Sequence, residues 1–142
     1  MQASILIPTQ KSRPAHVPLF SHAVPAGFPS PADDYIQGRL SLDEHLIANK
    51  EATFFVRAKG SSMVGAGIFD GDLLVVDKSL EPQSGNIVIA VMDGELTVKR
   101  LIRQGEIVIL RPENPRFKDI ELKDGQELQV WGVVTSTVKK FI

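Results

Sequence analysis

The sequence predicts a mainly β fold of short antiparallel strands, with one short helix and an extended N-terminal arm. Three observations support this prediction. Strand-like apolar runs alternate with glycine-containing turns from residue 52 onward, one stretch of helical periodicity precedes them, and six of the nine prolines fall before residue 32. A chain of 142 residues with 43% hydrophobic content can bury one good core. We therefore expect an arm over residues 1–32 and a single β-rich domain over residues 33–142.

The arm is defined by its composition, since residues 1–32 hold six prolines and no acidic residue. Proline removes a backbone donor and disfavours helix in the residue before it, so the arm should be extended and poorly ordered unless it docks. It also carries more apolar side chains than a linker requires, which indicates that it lies against a groove for part of the time. These residues are Val17, Leu19, Phe20, Val24 and Phe28.

Helical periodicity is confined to residues 33–50. Ser41 and Glu44 have the spacing of a capping box, and Leu42 and Leu46 recur at helical spacing. We therefore expect one short helix in this stretch.

Six strand-like runs follow the helix, and turn-forming residues separate them. Asp93-Gly94 and Gln104-Gly105 lie between successive runs and predict hairpin turns, because glycine supplies the positive φ that such turns require. The body of the chain should therefore be mostly antiparallel. The predicted strands cover residues 52–59, 72–77, 86–92, 95–103, 106–111 and 128–138.

Composition excludes several classes of site. The chain has no cysteine, so disulfides, thiolate metal sites and a cysteine nucleophile are excluded. The three histidines, His16, His22 and His45, do not stand at metal-ligand spacing, and no Gly-rich phosphate loop occurs. We therefore expect neither a metal nor a cofactor.

Charge and hydropathy limit the partners and the location. A formal net charge of -1 and a pI of about 6.3 give no basic surface for displacing counterions, so direct sequence-specific DNA binding is not expected. The longest apolar run, residues 87–92, is far shorter than the roughly 20 residues that span a bilayer. No secretory signal is visible at the N-terminus. We expect a soluble, cytoplasmic protein with no membrane partner.

One pair of residue types suggests catalysis. The tetrapeptide GSSM at residues 60–63 follows a predicted strand, and Lys99 lies on a later one. A serine hydroxyl needs an adjacent base to become a nucleophile, and a desolvated, neutral lysine amine can serve as that base. Backbone N–H groups of such a turn, here those of Ser61 and Ser62, can converge on a developing oxyanion.

The local sequence leaves the role of these residues open. Serines are common turn formers, and adjacent strand residues alternate between two faces, so Lys99 and Arg100 could each face water. Arginine is not deprotonated in proteins, so of the two only Lys99 can be a base. Thr97 shares a strand face with Lys99 and could hold the neutral amine in place by a hydrogen bond.

An ordered set of motifs carries a specific resemblance. The segments are AGFPSPA at residues 26–32, GSSM at 60–63, DGDLLVVD at 70–77, TVKRL at 97–101 and WGVV at 131–134. With these motifs, the chain resembles the UmuD-type SOS mutagenesis proteins, members of the self-cleaving family that includes the LexA repressor. The resemblance implies a LexA-like β-rich peptidase domain with Ser62 as nucleophile and Lys99 as general base.

The resemblance also implies the substrate. Family members cut their own chain just before a glycine, and the corresponding bond here is Ala26-Gly27. UmuD-type proteins commonly carry a cysteine at the position of Ala26, so this residue follows the LexA pattern. Cleavage should survive the difference because both side chains are small.

Partners follow from the same resemblance. Family members form homodimers and are triggered by the RecA filament on single-stranded DNA, and the trimmed UmuD-type product joins a Y-family translesion polymerase as an accessory subunit. LexA-type members carry an N-terminal helix-turn-helix domain, for which the 26 residues before Gly27 are too few and too rich in proline. The mutagenesis role is therefore favoured over that of a repressor.

Two alternatives from other classes stay open. A signal-peptidase-like enzyme would share the Ser-Lys chemistry but would act in trans at a membrane, and it would need an anchor that we do not expect. A non-catalytic, β-rich dimeric interaction module would use Ser62 and Lys99 as structural residues. Only the leading hypothesis predicts spontaneous cleavage at Ala26-Gly27.

Overall fold

The computed structural model describes residues 15–20, 23–28 and 36–142. The chain divides into two compact units, Met1–Ile47 and Ala48–Ile142. The domain boundary predicted between residues 32 and 33 lies outside the described residues. None of the helices in the described ranges is long and apolar enough to cross a membrane.

The first unit contains a two-stranded sheet and a short helix. Strand β1 (Val17–Phe20) pairs antiparallel with strand β2 (Ile36–Leu40), and helix α1 (Leu42–Leu46) comes shortly after β2. Part of the predicted arm is therefore a strand with a partner. Within the part of the chain that the structure describes, β1 pairs with β2 alone, and proline is compatible with such an edge strand.

Helix α1 confirms the predicted short helix. Ser41 is its N-cap, and the Ser41 hydroxyl accepts a hydrogen bond from the Glu44 N–H at 3.5 Å. The Glu44 carboxylate instead lies 3.5 Å from His16. Among the described residues, the predicted capping box is thus formed in one direction only.

The second unit contains a seven-stranded antiparallel sheet with the strand order β3-β4-β9-β5-β6-β7-β8. Each of the six predicted strands is present, with small differences at the ends. The short strand β8 was not predicted, because two residues are too few to show an alternating pattern. The strands are β3 (Thr53–Arg57), β4 (Leu73–Asp77), β5 (Ile87–Met92), β6 (Glu95–Gln104), β7 (Ile107–Arg111), β8 (Ile120–Glu121) and β9 (Leu128–Val138).

The β5–β6 hairpin follows directly from its turn residues. Met92 pairs with Glu95, so only Asp93 and Gly94 form the loop. Their φ angles are 51° and 81°, which is the left-handed pair that a two-residue type I′ turn needs. The hairpin sets the register of β6 and therefore the position of Lys99, which lies opposite Val88.

The core of the second unit consists of two clusters, and strand β5 contributes to both. Ile89 belongs to one cluster, whereas its neighbours Val88 and Ala90 belong to the other, because successive side chains of a strand point to opposite faces. The cluster around Ile89 also contains Met63 and Ile68, which lie in the loop between β3 and β4. This loop therefore packs against the sheet and carries the GSSM segment with it.

Candidate active site

The turn that carries Ser62 is anchored at both ends. Gly60 has a φ of 89°, a value that favours glycine, and its N–H donates to the Asp70 carboxylate at 2.8 Å. Met63 is only 4% exposed and packs in the core. Because the residues on either side are held, Ser62 has a defined place at the surface of the core.

Strand β6 brings Lys99 to this serine. Lys99 is only 9% exposed, and its Nζ lies 3.1 Å from the Ser62 Oγ. The same nitrogen contacts the Thr97 Oγ1 at 2.8 Å and the Val98 carbonyl oxygen at 3.0 Å. Burial lowers the pKa of the Lys99 amine from its ordinary value, because desolvation disfavours the charged form.

The three contacts of Lys99 can be made in both protonation states, since the charged amine has three N–H groups to donate to the three oxygens. A neutral lysine amine has two N–H donors and one lone pair. The Thr97 hydroxyl and the Val98 carbonyl can accept the two N–H groups, which leaves the lone pair for the Ser62 hydroxyl. In this state the Ser62 O–H donates to Lys99 Nζ, and the arrangement can remove the serine proton.

The backbone N–H groups and carbonyl oxygens at Ser61 and Ser62 differ in their hydrogen bonding. Among the described residues, the amides of Ser61 and Ser62 donate no hydrogen bond. Their carbonyl oxygens are both held, since Asn114 Nδ2 donates to Ser61 O and the Glu113 N–H donates to Ser62 O, each at 2.8 Å. Free amides in a fixed turn are the usual donors of an oxyanion hole.

Glu113 also holds the far side of the turn. The Gly65 N–H donates to the Glu113 carbonyl oxygen at 2.8 Å. A Cβ on Gly65 would lie 2.6 Å from that oxygen, which is closer than real Cβ atoms approach. Glycine is therefore required at this position for the contact between the two backbones.

Arg100 is not a free surface cation. Its side chain forms an ion pair with Glu113 and also donates to the Gly85 carbonyl oxygen. Because Arg100 directly follows Lys99, this ion pair joins the strand of the lysine to the segment that holds the serine turn.

A cavity of about 300 Å³ opens at Ser62 and Lys99. Most of its other lining side chains are apolar, with Trp131 on β9 the largest of them. Its polar lining residues besides Ser62 and Lys99 are Arg57, Lys59 and Thr97. The volume is at the lower end of the range typical of ligand sites, about 300–1,000 Å³. The apolar lining includes Val56, Ile68, Ile89, Leu96 and Trp131.

The structure brings Ser61, Ser62, Thr97 and Lys99 together, as the sequence predicted for a single site. Ala26 and Gly27 belong to the first unit and are exposed there. Sequence reasoning missed the carbonyl of Val98 and the contacts of the segment 113–114 with the serine turn. No periodic pattern in the sequence predicts the contacts of segment 113–114, because Asn114 and Ser61 are 53 positions apart.

Comparison with known proteins shows the family of the chain. The family model described as "Peptidase S24-like" matches residues 18–135. The chain belongs to the peptidase S24-like family. Protein SamA of Salmonella typhimurium is 46% identical over 136 residues, which are 96% of this chain and 94% of SamA. Protein MucA of Escherichia coli is 38% identical over 139 residues, which are 97% and 94% of the two chains.

The LexA repressor of Dechloromonas aromatica is 48% identical over 98 residues, which are 69% of this chain and 48% of that repressor. The resemblance to UmuD-type proteins of the SOS response is therefore confirmed. The mainly β fold class is also confirmed, as is the class of activity, that of a self-cleaving peptidase related to LexA.

Proposed function

We propose that this chain cleaves its own Ala26-Gly27 bond, with Ser62 as nucleophile and Lys99 as general base. The observation that carries the proposal is the 3.1 Å contact between Ser62 Oγ and Lys99 Nζ, together with the burial of the lysine. A charged lysine would be costly at this depth, whereas a neutral one can accept the serine proton.

The reaction proceeds in two halves. Ser62 Oγ attacks the carbonyl carbon of Ala26 while its proton moves to Lys99 Nζ, and the resulting oxyanion accepts hydrogen bonds from the Ser61 and Ser62 amides. Breakage of the C–N bond releases the Gly27 amine, which takes the proton from Lys99. Water then attacks the acyl-enzyme, with Lys99 as base, and frees Ser62 and the carboxylate of Ala26.

Thr97 supports the base in this scheme. Its hydroxyl lies 2.8 Å from Lys99 Nζ and accepts one of the two N–H groups of the neutral amine. This contact directs the lone pair toward Ser62 and limits rotation of the long lysine side chain. Thr97 is therefore a positioning residue and not a catalytic one.

Glycine is well suited to the position directly after the bond that is cut. The described residues around Gly27, 23–28, are exposed, and none of the described residues beyond its chain neighbours lies within 4 Å of a Cβ built on Gly27. A glycine after the scissile carbonyl lets the chain bend sharply and brings its backbone close to the serine. The rate of cleavage would then scale with the fraction of molecules in which the arm is docked.

The UmuD-type relationship supports a place in SOS mutagenesis. In this setting the RecA filament on single-stranded DNA stabilises the docked arm without adding catalytic groups. The chain acts in the cytoplasm as a homodimer, and its trimmed form serves as an accessory subunit of a Y-family translesion polymerase.

Incubation of the purified protein alone at alkaline pH, followed by intact mass measurement, tests the proposal. We expect two products, residues 1–26 and residues 27–142. A non-catalytic module would give no product, and a signal-peptidase-like enzyme would cut an added peptide but not its own arm. A different new N-terminus would overturn the assignment of the bond.

A further inference from the structure

A side chain from a distant loop holds the Ser61–Ser62 peptide. Asn114 Nδ2 donates to the Ser61 carbonyl oxygen at 2.8 Å. Asn114 Oδ1 accepts the Arg116 N–H at 3.0 Å, so the amide is fixed with its nitrogen toward Ser61. We propose that Asn114 is a positioning residue that directs the Ser62 N–H of the oxyanion hole. This inference rests on the proposed self-cleavage.

The reasoning depends on the geometry of one peptide unit. In a trans peptide, the carbonyl oxygen and the following N–H point in opposite directions. When Asn114 binds the Ser61 oxygen, it therefore also fixes the direction of the Ser62 N–H, on the side away from Asn114. This N–H donates to none of the described residues and is free to donate to an oxyanion.

Among the described residues, the Ser61 carbonyl oxygen accepts two hydrogen bonds, and the one from Asn114 is the shorter. Ser61 O also accepts the Val64 N–H, but at 3.4 Å and from within the same turn. Loss of the Asn114 contact would leave the peptide with the longer bond alone, and its orientation would become less well defined. An oxyanion hole works because its donors need no reorganisation when charge develops, so a less ordered Ser62 N–H should slow the reaction.

The location of Asn114 separates this role from that of the base. Neither polar atom of its side chain contacts Ser62 Oγ or Lys99 Nζ within the described part of the chain. Removing its side chain should therefore leave the titration of Lys99 unchanged. The effect should appear in the height of the rate profile and not in its position along the pH axis.

The test compares Asn114→Ala and the nearly isosteric Asn114→Asp with the parent chain. The aspartate keeps an acceptor for the Arg116 N–H but places a second acceptor, and no donor, against Ser61 O. Asn86→Ala is the matched control, because Asn86 Oδ1 accepts the Gln83 N–H at 2.8 Å in a turn that does not contact Ser61 or Ser62. Self-cleavage is followed from neutral to strongly alkaline pH, below the melting temperature of each protein.

We expect both Asn114 variants to cleave about 10- to 100-fold more slowly than the parent, and Asn114→Ala, which adds no charge, should keep the midpoint of the parent's alkaline rise. Asn86→Ala should cleave at the parent rate. Cleavage by Asn114→Asp within about threefold of the parent rate would overturn the inference, as would a shifted midpoint in Asn114→Ala. If the parent chain itself does not cleave, it is the proposed function that fails.

Discussion

Lys99 Nζ lies 3.1 Å from Ser62 Oγ, although strands β3 and β6 are separated in the sheet by β4, β9 and β5. The loop after β3 makes this contact possible. Its residues Met63 and Ile68 pack in the same core cluster as Ile89 of β5, so the loop lies across the face of the sheet. The serine therefore reaches the lysine through core packing and not through strand pairing.

The first prediction concerns the two reacting groups. Ser62→Ala and Lys99→Ala should each reduce self-cleavage by at least ~10³-fold, and the double variant should lose no more than either single one, because both groups serve one proton transfer. Ser61→Ala is the matched control. It should cleave at nearly the parent rate, because alanine keeps the backbone N–H at this position. Additive losses, measured by gel or mass spectrometry, would contradict a shared role.

A second prediction links the burial of Lys99 to stability. Its pKa is lowered in the folded chain, so the unfolded chain binds more protons between the folded and unfolded pKa values. Stability therefore rises with pH across that window. Lys99→Met should be more stable than its parent at neutral pH, and its advantage should shrink as the pH approaches ~10.4.

Thermal melts at about pH 7 and about pH 10 check this, with Ser62→Ala in every protein to prevent cleavage. Lys78→Met, at an exposed position, is the control and should show no such trend. A stability difference for Lys99→Met that is equal at both pH values would show that the buried amine does not titrate in this range.

The third prediction concerns the contact between two backbones. A Cβ on Gly65 would lie 2.6 Å from Glu113 O, so Gly65→Ala must displace the segment that holds the Ser62 carbonyl. We expect a loss of about 1–3 kcal/mol of stability from this strain. Self-cleavage should also slow, because the serine turn shifts. Chemical denaturation and cleavage rates measure the two effects.

Gly38→Ala provides the comparison, because no atom of residues 15–20, 23–28 or 36–142 beyond Gly38 and its chain neighbours lies within 4 Å of a Cβ built on Gly38. That variant should cleave at the parent rate. Normal cleavage by Gly65→Ala would mean that the turn tolerates the displacement, and that its contact with Glu113 does not matter for the reaction.

A fourth prediction concerns acid stability. The hydrogen bond from Lys139 is the main reason that the pKa of Asp72 lies below its ordinary value, and the Phe69 N–H at 2.8 Å contributes as well. This carboxylate therefore stabilises the fold above its unfolded pKa of ~3.9, and the benefit is lost as pH falls through the folded value. Asp72→Asn should melt at a lower temperature than the parent at neutral pH.

The two melting temperatures should converge as the pH falls through the folded pKa of Asp72, because both proteins then carry a neutral side chain at this position. Asp124→Asn, at an exposed position, should melt like the parent throughout. A deficit of Asp72→Asn that persists unchanged in acid would show that the loss is not electrostatic.

The sequence predicted features whose cause is local. The Asp93-Gly94 turn predicted the β5–β6 hairpin, and the motifs around Ser62 and Lys99 singled out two side chains that the structure places in contact. Features that depend on distant contacts were missed. Strand β1 pairs with β2 across the intervening segment, and Asn114 contacts a carbonyl 53 positions away.

The pH dependence of self-cleavage without any activator tests the central claim most directly. If neutral Lys99 is the base for Ser62, the rate of Ala26-Gly27 cleavage should rise steadily from neutral pH and level off when the lysine is fully deprotonated. The position of the midpoint below ~10.4 should reflect the lowered pKa of the buried amine. A rate that stays flat from neutral to strongly alkaline pH would contradict a titrating lysine base and leave Lys99 as a structural cation.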